Sequence, residues 1–259
     1  MGNSIKISND AVFFVHIPKC AGTSLGSFFS KKLRPSNEFF WHGQDGDINK
    51  IAAQKGFACE DNGQGIKFLG GHYTLPTATQ IITDTKISNA SIFSVIRNPV
   101  DQAESYFNWI TSESVLKQAA HPLHEHAKNM SPIEFFQDEL ILAEVGNIQS
   151  KYLLGVDCEA SNPNEILSLS LSLVLKRQLY LADVNQSDPL AHRVAELLTL
   201  SATGAENGTQ VPRENVSAAR DTKFDQDTIA HVRKLFWGDI LMYETLSTAH
   251  NTSKRNFYF

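Results

Sequence analysis

Cysteine is scarce in this chain of 259 residues: Cys20, Cys59 and Cys158 are the three, an odd number and far apart. That excludes a disulfide-stapled scaffold and fits a reducing compartment, and no pair among them has the spacing of a zinc site. Long apolar runs are lacking too, none approaching the ~18 residues of a membrane-spanning helix. The polar start, Met1 to Asp10, has no cationic-then-apolar layout of a signal peptide, so the expected location is the cytoplasm, with no transmembrane segment. Basic charge is also short. With 23 Lys and Arg against 28 Asp and Glu, the formal net charge of −5 excludes a global attraction to nucleic acid or to anionic surfaces. Internal repeats and low-complexity tracts are missing as well.

Hydrophobic residues make up 42% and aromatics 10%, enough at this length for an ample core, and the chain reads as one domain over residues 1–259. Charge is uneven along it. Residues 1–40 hold five basic and two acidic residues, whereas residues 101–200 hold 6 basic and 14 acidic.

Ala11 to Ile17 (AVFFVHI) is a short apolar run ended by Pro18, the pattern of a buried strand, and Gly22-Thr23-Ser24 then opens a helix over Ser24 to Leu33. A second strand, Ile66 to Gly70, runs into Gly71-His72-Tyr73. A third, Ser91 to Ile96, runs into Arg97-Asn98-Pro99 before a helix over Val100 to Lys117 marked by proline in its first turn. Strands alternating with helices predict an α/β fold with a mainly parallel central sheet, its ligands gathering at the strands' C-terminal ends. Lys19, His72 and Arg97 would share that rim. Further on, helices are expected over Ser131 to Leu140, Gly146 to Leu154 and Asp225 to Leu246. The alternating stretch Glu165 to Leu175 is assigned to a helix, followed by a strand over Leu179 to Ala182, and residues 201–224 to a long loop.

Pro18-Lys19-Cys20-Ala21-Gly22-Thr23-Ser24 joins a strand to a helix, where backbone N–H groups and a helix dipole meet an anion. The loop reads either as a phosphate site or as an ordinary helix cap beside a solvated lysine. It is not a Walker A loop, in which the lysine follows the last glycine, because Lys19 precedes Gly22. Arg97 at a strand end and Ser105 two turns into the next helix offer a guanidinium and a hydroxyl to one phosphate, or else a carboxylate partner and a buried small residue.

Taken together, His16-Ile17-Pro18-Lys19-Cys20-Ala21-Gly22-Thr23-Ser24 and Val95-Ile96-Arg97-Asn98-Pro99-Val100 with Ser105-Tyr106 resemble the 5′-phosphosulfate loop and the 3′-phosphate motif of the carbohydrate-type sulfotransferases. These enzymes use 3′-phosphoadenosine 5′-phosphosulfate (PAPS). The likeness is closest to the branch of uronyl 2-O-sulfotransferases and bacterial relatives. It implies a P-loop-like, three-layer α/β/α fold and transfer of a sulfonate from PAPS to a hydroxyl, with a saccharide or glycoconjugate as the acceptor and no metal required.

It further implies that Lys19 stabilises the bridging oxygen as sulfonate leaves. Cys20, Ala21, Gly22, Thr23 and Ser24 would line the 5′-phosphate loop, and Arg97 and Ser105 would bind the 3′-phosphate. Gly70-Gly71-His72-Tyr73 resembles the family's Gly-His segment, which makes His72 the general base, a task suited to a side chain with a pKa of about 6.5. Asn147 and Gln149, in a stretch similar to an Asn-x-Gln helix of the bacterial relatives, would line the cleft, and Arg213 in a late loop would add charge to the 3′-phosphate.

The chain departs from the pattern at Cys20, where threonine is frequent, and at Gln102, where arginine is frequent. His121, His124 and His126 form the densest histidine cluster, which Pro122 and the lack of a nearby cysteine assign to a solvated loop rather than a metal site. The alternatives of other classes are a nucleotide or sugar kinase of related fold and a catalytically silent nucleotide-binding protein.

Overall fold

Ala11 to Val15 is wholly buried, and the strand that carries it, β1 (Ile5–Val15), sits in the middle of a parallel sheet. The computed structural model describes residues 4–48, 50–51, 56–60, 65–112, 121–176, 179–198, 222–253 and 257–258. Six further strands join β1: β2 (Phe39–Trp41), β3 (Phe57–Glu60), β4 (Ile66–Gly71), β5 (Ser91–Ile96), β6 (Leu179–Asp183) and β7 (Phe257–Tyr258). Their order is β2-β4-β1-β5-β6-β7, with β3 pairing the first half of β1, and every described pairing is parallel. Between them run α1 (Gly22–Leu33), α2 (Leu75–Thr85), α3 (Pro99–Ile110), α4 (His124–Ala127), α5 (Pro132–Phe135), α6 (Glu139–Val145), α7 (Ile148–Leu154), α8 (Pro163–Val174), α9 (Ser187–Leu197), α10 (Gln226–Leu235) and α11 (Trp237–Ser253). This is the expected α/β arrangement, a parallel sheet flanked by helices.

The register explains why the middle strands are apolar on both faces. Phe13 and Phe14 of β1 pair with Leu69 and Gly70 on one side and with Ile92 and Phe93 on the other, and a sheet covered on both faces selects continuous hydrophobic runs. Phe14, Phe68, Phe93 and Phe29 of α1 form a stacked and edge-on aromatic group, with Phe14 and Phe93 at 4.5 Å. A second buried cluster, with Tyr106, Phe107, Phe135, Phe136 and Phe236, packs α3 against α5 and α10.

Two expected helices are broken in the structure. Ser131 to Leu140 divides into α5 and α6, because Ser131 and Glu134 form a reciprocal capping box on the first while Asp138 accepts from Leu140 and Ile141 to start the second. Asp225 to Leu246 divides at Phe236, whose backbone leaves the helical region, and the remote Asn147 side chain accepts from the N–H groups of Gly238 and Asp239 to begin α11. The described part of the helix expected over Val100 to Lys117 ends at Ile110, capped by Thr111. The helix and strand assigned over Glu165 to Ala182 are observed as α8 and β6. Of the long loop at 201–224, only 222–224 fall among the described residues.

Gly70 is a packing requirement. A Cβ there would lie 2.7 Å from both the Phe68 and the Trp41 rings, Trp41 being its partner in the β2–β4 pairing. Gly70→Ala is expected to lower stability by about 1–3 kcal/mol through overpacking. The check is a urea unfolding curve with a lower midpoint and an unchanged slope; an unchanged midpoint would show that Trp41 swings clear at no cost.

Candidate functional site

The sheet order places β4, β1 and β5 side by side, so the loops leaving their C-terminal ends meet on one edge. His72 follows β4, the segment His16 to Ala21 follows β1, and Arg97 follows β5. Strands lie about 4.8 Å apart, which brings side chains from widely separated stretches of sequence within reach of one small ligand.

The β1–α1 loop is bent by two non-glycine residues in the left-handed region, Lys19 (φ 64°) and Ala21 (φ 57°). Such conformations cost about 1–3 kcal/mol each and persist where the surroundings impose them. No side chain caps α1 and no acidic residue lies in its first turn, so no negative charge stands where the helix dipole favours one. Gly22 and Ser24 are buried, while Thr23 is exposed. Cys20 contributes no free donor to this loop: its N–H is held by the Ile17 carbonyl at 3.2 Å. Its thiol is buried, which pushes it far up out of the nucleophilic range.

Two cations stand at the mouth of the loop. Lys19 places its Nζ 5.0 Å from the Trp109 ring centroid, and Arg97 directs Nη1 to the Lys19 carbonyl at 3.4 Å. Among the described residues no carboxylate forms an ion pair with either. Burial, and then repulsion from Arg97, lower the Lys19 ammonium to about 8 against a small opposing effect of Cys20. Ser105 is half-buried on α3, between Gln102 and Trp109 by helical spacing, and therefore on the face turned to this loop.

Asn147 and Gln149 stand behind the site. Gln149 is wholly buried; its Oε1 accepts from the Arg97 N–H (3.0 Å) and lies 3.9 Å from Cys20 Sγ, and its Nε2 donates to the Arg97 carbonyl (2.8 Å) and to Gln102 Oε1 (3.2 Å). Gln102 in turn donates to the Pro18 carbonyl at 2.9 Å. One amide-to-amide link thus ties the β5 loop to the β1 loop, which accounts for a glutamine at position 102. Asn147 donates to Leu235 and accepts from Gly238 and Asp239, so its side chain joins α7 to α11. With their polar atoms occupied in this way, both residues face the scaffold rather than the cleft expected from the sequence.

His72 donates from Nδ1 to the His16 carbonyl at 2.9 Å; a carbonyl only accepts, so the ring proton is on Nδ1 and Nε2 keeps its lone pair. Restricted hydration lowers the pKa of this imidazole from its ordinary value, opposed by that hydrogen bond and reinforced by His42. Tyr152 meets its ring edge-on at 6.4 Å. His42 accepts from the Ile48 N–H through Nδ1 at 2.9 Å, and no pattern in the sequence marks it. His16 lies beneath His72, the rings 4.1 Å apart.

The histidine cluster is dispersed over separate partners: His121 pairs with Glu144, His124 bonds the Ile110 carbonyl and His126 pairs with Asp138. Arg213 lies outside the described residues.

No family model matches the chain, and no curated protein sequence matches it. Among solved structures, the chain is similar to a mouse sulfotransferase, SULT7A1, complexed with PAP (3′,5′-adenosine bisphosphate), at TM-score 0.46 and 13% identity over 96% of this chain and 87% of that one. It is also similar to a sulfotransferase from Alicyclobacillus acidocaldarius, at TM-score 0.45 and 13% identity over 94% of this chain and 95% of that one.

Beneath the site, Asp239 is fully buried and accepts from the N–H groups of Gln149 (3.1 Å) and Ser150 (2.7 Å), capping α7 from a distance. Burial raises its carboxyl from 3.8 to about 6, against these bonds. A carboxyl raised in the folded state gives stability that is full below about pH 4 and lost as pH rises through about 6. Between those values wild-type stability should therefore fall relative to Asp239→Asn by on the order of 1–3 kcal/mol. Denaturation curves of the two proteins across this window check it; parallel pH profiles would show that this ionisation is not linked to folding.

Proposed function

We propose that the chain is a sulfotransferase that moves a sulfonate from PAPS to a hydroxyl of a carbohydrate or glycoconjugate acceptor. The observation that carries this reading is the pair Lys19 and Arg97, two adjoining cations with no carboxylate partner among the described residues, set at the uncapped start of α1. A pocket of that kind is completed by a multiply charged anion. The motif resemblance supplies the anion's identity. By the same reading the chain is one cytoplasmic domain, and no described helix is long and apolar enough to cross a membrane.

In this mechanism the first-turn amides of Gly22, Thr23 and Ser24 hold the 5′-phosphate and Arg97 with Ser105 holds the 3′-phosphate. The acceptor oxygen attacks sulfur in line, the bond from sulfur to the bridging oxygen breaks, and Lys19 faces the charge that develops there. His72 takes the hydroxyl proton at Nε2, the nitrogen its bond to His16 leaves free. A transferring sulfonate carries less charge than a phosphoryl group, so a lysine and fixed amides meet the demand that kinases meet with magnesium. Cys20 supplies neither a thiolate nor a free amide. Arg213 is assigned to the 3′-phosphate by resemblance alone.

His72→Ala is expected to lower turnover by ~10²–10⁴-fold while sparing PAP affinity, and Arg97→Ala to weaken PAP at least about tenfold. Labelled PAPS supplied with a panel of saccharides and other hydroxyl compounds reads the first and calorimetry the second. Retained turnover in the first variant or unchanged affinity in the second would sink the assignment, and tight PAP binding with no transfer to any acceptor would favour a silent binding protein.

Lys19 must be protonated to face the dianion, and its free pKa is about 8. PAP affinity should therefore be level between about pH 7 and 8, where the phosphates are ionised, and fall as pH rises above about 8, with protons taken up on binding near pH 8.5. Calorimetry in two buffers of different ionisation enthalpy measures that uptake, which Lys19→Gln should abolish.

A further inference from the structure

His16 is a buried titratable side chain to which the mechanism above gives no role through its ring. Its exposure is 6%, and its Nδ1 has no hydrogen-bond partner among the described residues. The ring is held on several sides. It stacks on Phe14 at 5.7 Å and His72 at 4.1 Å, and Trp41 lies tilted against it at 5.5 Å. On the remaining flank it occupies the space that a side chain at position 22 would need: a Cβ on Gly22 would fall 1.6 Å from Cδ2. The ring thus lies between the start of α1 and His72, and a glycine is required opposite it.

We infer that His16 is a positioning residue, whose ring and carbonyl together hold His72 with Nδ1–H turned into the protein and Nε2 free for the acceptor. The inference rests on the reading of His72 as the base. Two contacts restrain the His72 ring where one would leave it free to turn: the carbonyl bond fixes which nitrogen carries the proton, and the stack fixes the plane. The charged neighbours favour neutral rings throughout. His72 faces His16, His42 and Tyr152, and His16 faces His72 and Lys19, so no carboxylate among the groups acting on either ring draws a proton onto it. Burial, then His72, then Lys19 keep His16 itself well below its ordinary pKa.

The ligand-free full chain tests this by nitrogen-detected NMR of its histidine rings. In the wild type, His72 should be in the Nδ1–H form and titrate below 6.5. In His16→Ala the carbonyl bond persists without the stack, so His72 should keep its Nδ1–H form while its ring, no longer fixed in plane, moves more freely in nitrogen relaxation than in the wild type. Gly22→Ala, whose methyl must displace the His16 ring, should loosen the His72 ring in the same way and serves if His16→Ala does not fold. In turnover, His16→Ala should lower kcat roughly 10- to 100-fold with PAP affinity within about threefold.

A His72 without its proton on Nδ1 in the wild type, or a ring as restrained in His16→Ala as in the wild type, would overturn the inference. So would a loss confined to PAP affinity, which would make His16 a donor contact instead. If the NMR results hold and no acceptor is sulfonated by the wild type, the proposed activity fails while the positioning of His72 by His16 stands.

Discussion

The buried carboxamide of Gln149 is the fastening on which the site depends. It bonds the backbone of Arg97 through both its N–H and its carbonyl, and reaches Pro18 through Gln102, so the loops that follow the two middle strands cannot move independently. Each of these groups is buried or half-buried, so losing the amide would leave several backbone donors and acceptors without partners at once. Gln149 is itself held at the start of α7 by the Asp239 carboxylate, and α7 is joined to α11 by Asn147. A chain of polar contacts therefore runs from the last long helix to the backbone that carries Lys19 and Arg97.

Electrostatically the site reverses the balance of the molecule. The net charge is −5, yet Lys19 and Arg97 adjoin one another with no carboxylate to offset them among the described residues. Much of the acidic excess of residues 101–200 is engaged elsewhere. Glu104 holds Lys223 and the Phe224 N–H, Asp138 starts α6, Glu144 joins Tyr106 to His121, and Asp183 binds Asn185 and Tyr243. These carboxylates serve as caps and cross-links. A dianion entering between the two cations would relieve their repulsion and bind only the folded form, so occupancy and stability are coupled.

What the sequence made legible was local. Pro18 and Pro99 mark where two strands stop, Gly22-Thr23-Ser24 marks a helix start, and the run Ala11 to Val15 marks a strand covered on both faces. These were enough to place Lys19, His72 and Arg97 on one edge, because in a parallel sheet every such loop leaves from the same side. The misreadings arose where a distant group decides the outcome. The break at Phe236 depends on Asn147, about 90 residues earlier, and the polar Asn-x-Gln pattern reads like a cleft lining although its amides serve the backbone. Short strands such as β2 and β3 carry too few residues for periodicity to declare them, and His42, at the end of β2, went unmarked with them.

The central place of β1 has a consequence for how the chain reaches this structure. β1 precedes its three partners in the sequence, and its pairing with β5 joins Val12 to Ser91 and Val15 to Ser94, about 79 residues apart. Until β4 and β5 have emerged from the ribosome, an apolar run with both edges unpaired has nothing to fold against. Such non-local parallel pairing is slow and open to aggregation. The strand that organises the finished molecule is thus left exposed to aggregation while its partners are still being synthesised.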